Sequence, residues 1–139
     1  MDEAFGHWFA GFTDGEGCFQ IIEYKPGRYD TRFLINLRAD DIDILHEIRN
    51  QLGMGTVFIY DHCVKDGRKH PTKMARFQIT NKKESAWLVE IFDSYPLRAK
   101  KRWDYLLWRE AVKERFKDRP DWGSLCHLQL MLRAGRKYH

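Results

Sequence analysis

The residues best suited to chemistry close a helical pattern near the N-terminus. From Asp2 to Phe12 the apolar residues Ala4, Phe5, Trp8, Phe9 and Phe12 recur at helical spacing. The run ends on Thr13-Asp14-Gly15-Glu16-Gly17. Asp14 and Glu16 thus stand against the negative end of the helix dipole, where each carboxylate costs roughly 0.3–1 kcal/mol and a lysine or arginine is favoured. A divalent cation at that turn would reverse the balance, because carboxylate and carbonyl oxygens suit Mg²⁺. Taken alone, the turn reads more simply as a polar one, with Gly15 and Gly17 in unusual dihedrals. Ala10 and Gly11 are small residues among large aromatics. Glycine inside a helix costs about 1 kcal/mol relative to alanine, so Gly11 points to a close helix–helix approach. A second candidate segment, Arg98-Ala99-Lys100-Lys101-Arg102, reads in isolation as a solvated helix start.

Periodicity gives the elements that must position these groups. Residues 18–24 and 32–38 alternate and form a predicted β-hairpin about Lys25-Pro26-Gly27-Arg28. Asp40, Asp41 and Asp43 open a helix carrying Ile44, Leu45, Ile48 and Leu52, which Gly53 closes. Strands Thr56 to Tyr60 and Lys73 to Thr80 follow, joined by a polar loop with Gly67 and Pro71. Asn81 and Glu84 resemble a capping box. They start a helix through Trp87, Leu88, Ile91 and Phe92 that must end near Pro96. A further helical pattern runs through Trp103, Leu106, Leu107 and Ala111, and the tail after Pro120 has room for one more short helix. The order is helix, two strands, helix, two strands, helix, helix: an α+β plan whose antiparallel sheet has helices on one face and water on the other.

Strand alternation assigns the faces. Phe33, Ile35, Leu37, Ala75, Phe77 and Ile79 point inward; Arg32, Leu34, Asn36, Arg38, Met74, Arg76, Gln78 and Thr80 point outward. Gln20, Ile22 and Tyr24 share one face, as do Phe58 and Tyr60. Residues 18–38 and 54–80 hold nine basic residues (Lys25, Arg28, Arg32, Arg38, Lys65, Arg68, Lys69, Lys73, Arg76) against four acids (Glu23, Asp30, Asp61, Asp66). The intervening residues 39–53 hold one arginine and four acids, so positive charge is segregated onto the sheet. A face bearing Arg, Asn, Gln and Tyr can contact phosphates and read base edges in a major groove. An ordinary solvated sheet face is the plainer alternative.

Composition narrows the class. A chain of 139 residues with 43% hydrophobic content makes one domain with a real core and excludes disorder or a coiled coil. The net charge of +4 is too small to identify a nucleic-acid partner by itself. No apolar run reaches the ~20 residues of a membrane span, so no membrane partner is expected. Asp2 and Glu3 stand where a signal peptide would be basic, so secretion is not expected either. Cys18, Cys63 and Cys126 are too widely spaced for zinc and odd in number, consistent with reduced thiols. There is no P-loop and no histidine–asparagine–histidine arrangement.

FAGFTDGEG, residues 9–17, resembles the signature of the LAGLIDADG homing endonucleases, and the likeness continues along most of the chain. Residues 40–57, DDIDILHEIRNQLGMGTV, resemble the family's first helix–strand junction, and residues 92–108, FDSYPLRAKKRWDYLLW, its Pro-Leu-x-x-Lys-Lys segment. Residues 1–116 are expected to form the endonuclease domain, with 117–139 a helical extension of it.

The resemblance implies an αββαββα fold whose sheet forms a DNA-binding saddle. One signature per chain implies a homodimer in contact through Phe9, Ala10, Gly11 and Thr13. It makes Glu16 the metal ligand, with the Gly15 carbonyl beside it, Asp14 a supporting acid, and Lys101, or Lys100 in competition, the basic residue at the centre. Mg²⁺ is the implied ion, with Mn²⁺ able to substitute. The DNA-facing residues are then Gln20, Ile22, Tyr24, Arg28, Arg32, Asn36, Arg38, Tyr60, Arg76 and Gln78. The expected activity is metal-dependent hydrolysis of both strands of a long pseudo-palindromic site, on behalf of a mobile intron or similar element, in a bacterial or phage-infected cytoplasm or an organelle matrix. One departure stands out: the family often has a polar residue at the end of the second strand, and Ala39 occupies that place, leaving Arg38 or Asp40 to compensate. Two rivals share the scaffold. One is a cleavage-deficient DNA-binding regulator. The other is an RNA maturase, for which Lys113, Arg115, Lys117 and Arg119 would form a basic surface.

Overall fold

The computed structural model describes residues 1–62 and 71–136. Cys63, Gly67 and the charged residues Lys65, Asp66, Arg68 and Lys69 lie outside the described residues. The elements are α1 (Glu3–Glu16), β1 (Gly17–Lys25), β2 (Arg28–Arg38), a 3-10 turn (Ala39–Asp41), α2 (Ile42–Leu52), β3 (Thr56–His62), β4 (Thr72–Ile79), α3 (Lys82–Ser94), α4 (Lys101–Phe116) and α5 (Trp122–Arg136). The four strands form one antiparallel sheet in the order β1-β2-β4-β3, so the two hairpins meet along β2 and β4.

Local chemistry sets the boundaries. Asp2 Oδ1 caps α1 by accepting from the Phe5 amide at 3.0 Å. Gly27 turns the first hairpin with φ of +73°, and Gly53 ends α2 in the left-handed region with φ of +68°. Asn81 Oδ1 caps α3 through the Glu84 amide at 2.8 Å. The capping box is only half made, however: the Glu84 carboxylate accepts from the Gly55 amide, at 3.3 Å, and so ties α3 to the start of β3.

The inward strand residues Phe33, Ile35, Ala75, Phe77 and Ile79 are fully buried, and Leu37 is half-buried near the strand end. They meet an aromatic core in which Phe9 stacks on Phe92 (centroids 5.2 Å) and Phe19 lies 5.2 Å from both Phe33 and Trp108. Burial of each such side chain contributes on the order of 1.5–3 kcal/mol. A polar clamp joins α3 to α4. The Tyr105 hydroxyl donates to Asp93 Oδ1 at 2.7 Å, and Arg109 donates to both Asp93 oxygens. Partial burial would raise the Asp93 carboxyl, but these donors outweigh it and hold the group below its usual range.

The tail is a full helix, not a short one: α5 runs for 15 residues. Its buried stripe is Leu125, Gln129 and Leu132, and the glutamine within that stripe disguises its periodicity. Gln129 Nε2 donates to the Ile21 carbonyl at 2.9 Å, and Arg136 donates to that of Phe19. Lys101 Nζ donates to the Gly17 carbonyl at 2.6 Å. Three alternate carbonyls of edge strand β1 are thereby capped, which blunts the edge against further strand pairing. The basic row of the maturase reading loses two of its four members. Arg115 reaches into the sheet to Thr31 Oγ1 (3.0 Å) and the Thr80 carbonyl (2.9 Å), and Lys117 pairs with Glu114 at 2.8 Å. Among the described residues, no helix is long and apolar enough to cross a membrane.

The close approach within the protomer is at Gly6, not Gly11. A Cβ on Gly6 would lie 2.6 Å from three ring atoms of Tyr95, whereas one on Gly11 would meet nothing within 4 Å. Gly6→Ala should therefore cost about 1–3 kcal/mol in urea unfolding, and adding Tyr95→Ala should recover part of that loss. Undiminished stability of Gly6→Ala would contradict this packing.

Candidate active site and nucleic-acid interface

Helix α1 ends where α4 begins, and Asp14 joins them. Its Oδ2 accepts from the Arg98 amide at 2.9 Å and its Oδ1 from the Ala99 amide at 3.1 Å. These amides precede α4, whose first turn closes through the Arg102 amide on the Ala99 carbonyl. The acid that is unfavourable on its own helix is thus held by unpaired donors at the start of another. The structure places Asp14 as a tie between the end of α1 and the segment leading into α4.

Glu16, two residues on, is exposed and makes no hydrogen bond or ion pair to any described residue. It lines an open depression of about 560 Å³ with Asn36, Leu37, Arg38, Asp40, Asp41 and Met74. The bracket at Asp14 brings Lys101 to the same turn, since its ammonium holds the carbonyl of the residue after Glu16. Lys100 is exposed at the start of α4 and contacts no carboxylate among the described residues. Arg38 and Asp40, the two candidates to compensate for Ala39, face each other at 4.0 Å in the depression. Periodicity gave no sign that Asp41 and Met74 would join Glu16; chain reversal at the 3-10 turn and the β2–β4 register bring them there.

The donors fit a hard divalent cation in kind but not in number. A carboxylate unpaired among the described residues, beside the Gly15 carbonyl of the same helix end, is an oxygen set of the type Mg²⁺ takes. Yet the described residues contain no group of three His, Cys, Asp or Glu side chains able to hold an ion. One such turn does not by itself complete the coordination of an ion.

The outer sheet face carries most of the expected contact residues. The cross-strand register sets Gln20 opposite Arg32, Leu34 opposite Cys18 and Gln78, and Arg76 between Asn36 and Phe58. Three details differ from the alternation. Leu34 points outward yet is buried in its row. Arg28 is drawn to α5, its guanidinium 4.9 Å above the Trp122 ring. Arg32 pairs with Asp30 at 3.4 Å. Ile22 is half-buried beside them, and Tyr24 is exposed near the hairpin tip.

The α1 surface also needs correction. Phe9, Ala10 and Thr13 are buried inside the protomer's own core and offer nothing to a second chain. Of the four residues expected at a dimer contact, only Gly11 is exposed; it shares its ridge with Ala4, Trp8 (41% exposed) and Gly15. Phe12 is half-buried and stacks on Trp8 at 5.0 Å. Helical periodicity marks both faces of this helix as apolar, and only packing distinguishes them.

Residues 9–112 match the family model described as LAGLIDADG endonuclease. The probable intron-encoded endonuclease Cox1-I1b of Schizosaccharomyces pombe is 29% identical over 112 residues, covering 78% of this chain and 27% of that protein. The chain therefore spans about a quarter of that relative's length. Among solved structures, the LAGLIDADG meganuclease I-AabMI bound to uncleaved DNA superposes with a TM-score of 0.65 at 31% identity, over 78% of this chain and 35% of that one. The archaeal intron-encoded homing endonuclease I-Vdi141I, complexed with DNA, gives a TM-score of 0.75 over 96% and 86% of the two chains, and at 20% identity shows the fold alone.

The Asp14 bracket has a direct readout. Asp14→Ala should speed hydrogen exchange at the Arg98 and Ala99 amides and cost about 0.5–2 kcal/mol, the range for loss of a helix cap. Exchange rates at both amides equal to wild type would show that the bracket does not hold in solution.

Proposed function

The chain belongs to the LAGLIDADG endonuclease family, and from that premise we propose that it is a metal-dependent DNA endonuclease. It hydrolyses both strands of a long pseudo-palindromic site and serves the homing of a mobile intron or similar element. The observation that carries this reading is Glu16: an exposed carboxylate without a partner among the described residues, fixed at the border of a polar sheet face.

Glu16 and the Gly15 carbonyl would hold Mg²⁺, or Mn²⁺ in its place. When bound, such an ion neutralises phosphate charge and favours ionisation of a water nucleophile. The chain's own residues do the rest. The β1–β4 face lies along the duplex, its arginines and amides meeting phosphates and base edges. Asp14 keeps α4 against the turn, and Lys101 delivers a positive charge that lowers the cost of charge building on the phosphate. Because one turn supplies one free carboxylate, the second comes from a second copy of the chain, across the ridge of Ala4, Trp8, Gly11 and Gly15. Two-fold symmetry then imposes two related half-sites.

Glu16→Gln keeps the shape and removes the charge. It should lower cleavage of double-stranded DNA in Mg²⁺ or Mn²⁺ by about 100-fold or more, the scale of losing one electrostatic group from a reaction centre. Binding measured in Ca²⁺ should be unchanged. Cleavage by the Gln variant at a near-wild-type rate would refute the assignment.

Sedimentation at micromolar concentration should give a dimer. Gly11→Arg, placed where the protomer has open space, should sediment as a folded monomer with no double-strand cleavage. A wild-type monomer that cuts both strands would overturn the shared centre.

A further inference from the structure

The arginines of the outer sheet face and its ends are held in different ways. Arg28 lies on Trp122 of α5, Arg32 is paired with Asp30, and Arg38 faces Asp40 from an exposed strand end. Arg76 is held, among the described residues, by neutral side chains of the sheet face itself. Its Nε donates to Asn36 Oδ1 at 2.7 Å, and its guanidinium lies 4.7 Å from the centroid of the Tyr60 ring and 6.0 Å from that of Phe58. The Tyr60 hydroxyl donates to the same Asn36 oxygen at 3.3 Å. That oxygen is therefore fixed as an acceptor from two directions.

This clamp does three things. It uses Nε and leaves Nη1 and Nη2 with no hydrogen bond to a described residue, so both remain available as donors. It restricts the rotamers of a long, flexible side chain, so less conformational freedom is left to lose on binding. It also leaves the positive charge uncancelled by any carboxylate, unlike that of Arg32. The residue lies on β4, an interior strand, opposite Asn36 on β2 and Phe58 on β3, over the middle of the face and not at its rim. Two parallel donors presented at the middle of a groove-facing sheet match the O6 and N7 acceptors of guanine.

We propose that Arg76 is a specificity-determining residue that reads one guanine in each half-site, with Asn36 and Tyr60 as its positioning residues. This rests on the DNA-binding reading above and deepens it. The test is selection of a randomised double-stranded DNA library by the full chain in Ca²⁺, followed by affinity and salt-dependence measurements on the selected duplex. Wild-type protein should select guanine at a position that Arg76→Ala leaves random. All other preferences should persist, and affinity for the guanine duplex should fall about 5- to 150-fold. Arg76→Lys keeps the charge without the fork and should lose the same preference. Asn36→Ala, with Nε released, should weaken the preference without abolishing binding. If Arg76→Ala retains every base preference and only flattens the salt dependence by about one counterion, Arg76 is a phosphate contact and the proposal is overturned. If wild-type protein selects no sequence, the DNA-recognition reading itself falls, and this assignment with it.

Discussion

The Asp14 carboxylate accepts hydrogen bonds from the Arg98 and Ala99 amides, and through them the last turn of α1 meets the first turn of α4. Each end would be uncomfortable alone: α1 finishes on acids against its own dipole, and α4 begins with unpaired backbone donors. Brought together, the two mismatches satisfy each other. The junction also sets where Glu16 and Lys101 lie. Glu16 follows Asp14 by two residues, and Lys101 follows Ala99 by two, so one bracket registers a free carboxylate and an ammonium about the Gly17 carbonyl. An acidic pair at a helix end thus divides its labour: one acid holds the scaffold together and the other is left open.

The sheet divides its labour in a similar way. Its inner face is committed to the aromatic core of Phe9, Phe19, Phe33, Phe77, Phe92 and Trp108, all with essentially no exposure. Among the described residues, helices cover one side of the sheet, and α5 closes the β1 edge instead of crossing the outer face. Within that outer face the polar groups are already organised by one another, as the Asn36, Tyr60 and Arg76 cluster shows. Under the proposed function, such order lowers the entropy lost on binding a duplex.

Much of this was legible in the sequence. Strict alternation in Arg32–Arg38 and Lys73–Ile79 assigned both faces of the central strands, and Gly53, Asn81 and Pro96 marked helix ends by their backbone and capping chemistry. The acids at residues 14 and 16 stood out against the dipole rule. What could not be read depends on three-dimensional packing. The α1 helix is apolar on two sides, so periodicity could not tell that Phe9, Ala10 and Thr13 face inward while Trp8 and Gly11 face out. Glu84 looked like a partner for Asn81 because the motif is local, but it serves the distant Gly55 amide. Arg115 and Lys117 looked like members of a basic surface, but Thr31, Thr80 and Glu114 hold them. The stripe of α5 is broken by Gln129, whose amide belongs to the edge of β1.

Under the proposed function, two copies of the α1–α4 junction form one cleavage centre between two sheet faces. Mapping the broken phosphodiester on each strand of a selected DNA site tests it most directly. One cut per strand is expected, placed symmetrically about the centre of the pseudo-palindrome and between the two half-sites. Cuts confined to one strand, or lying within or outside a half-site with no symmetric counterpart, would contradict it.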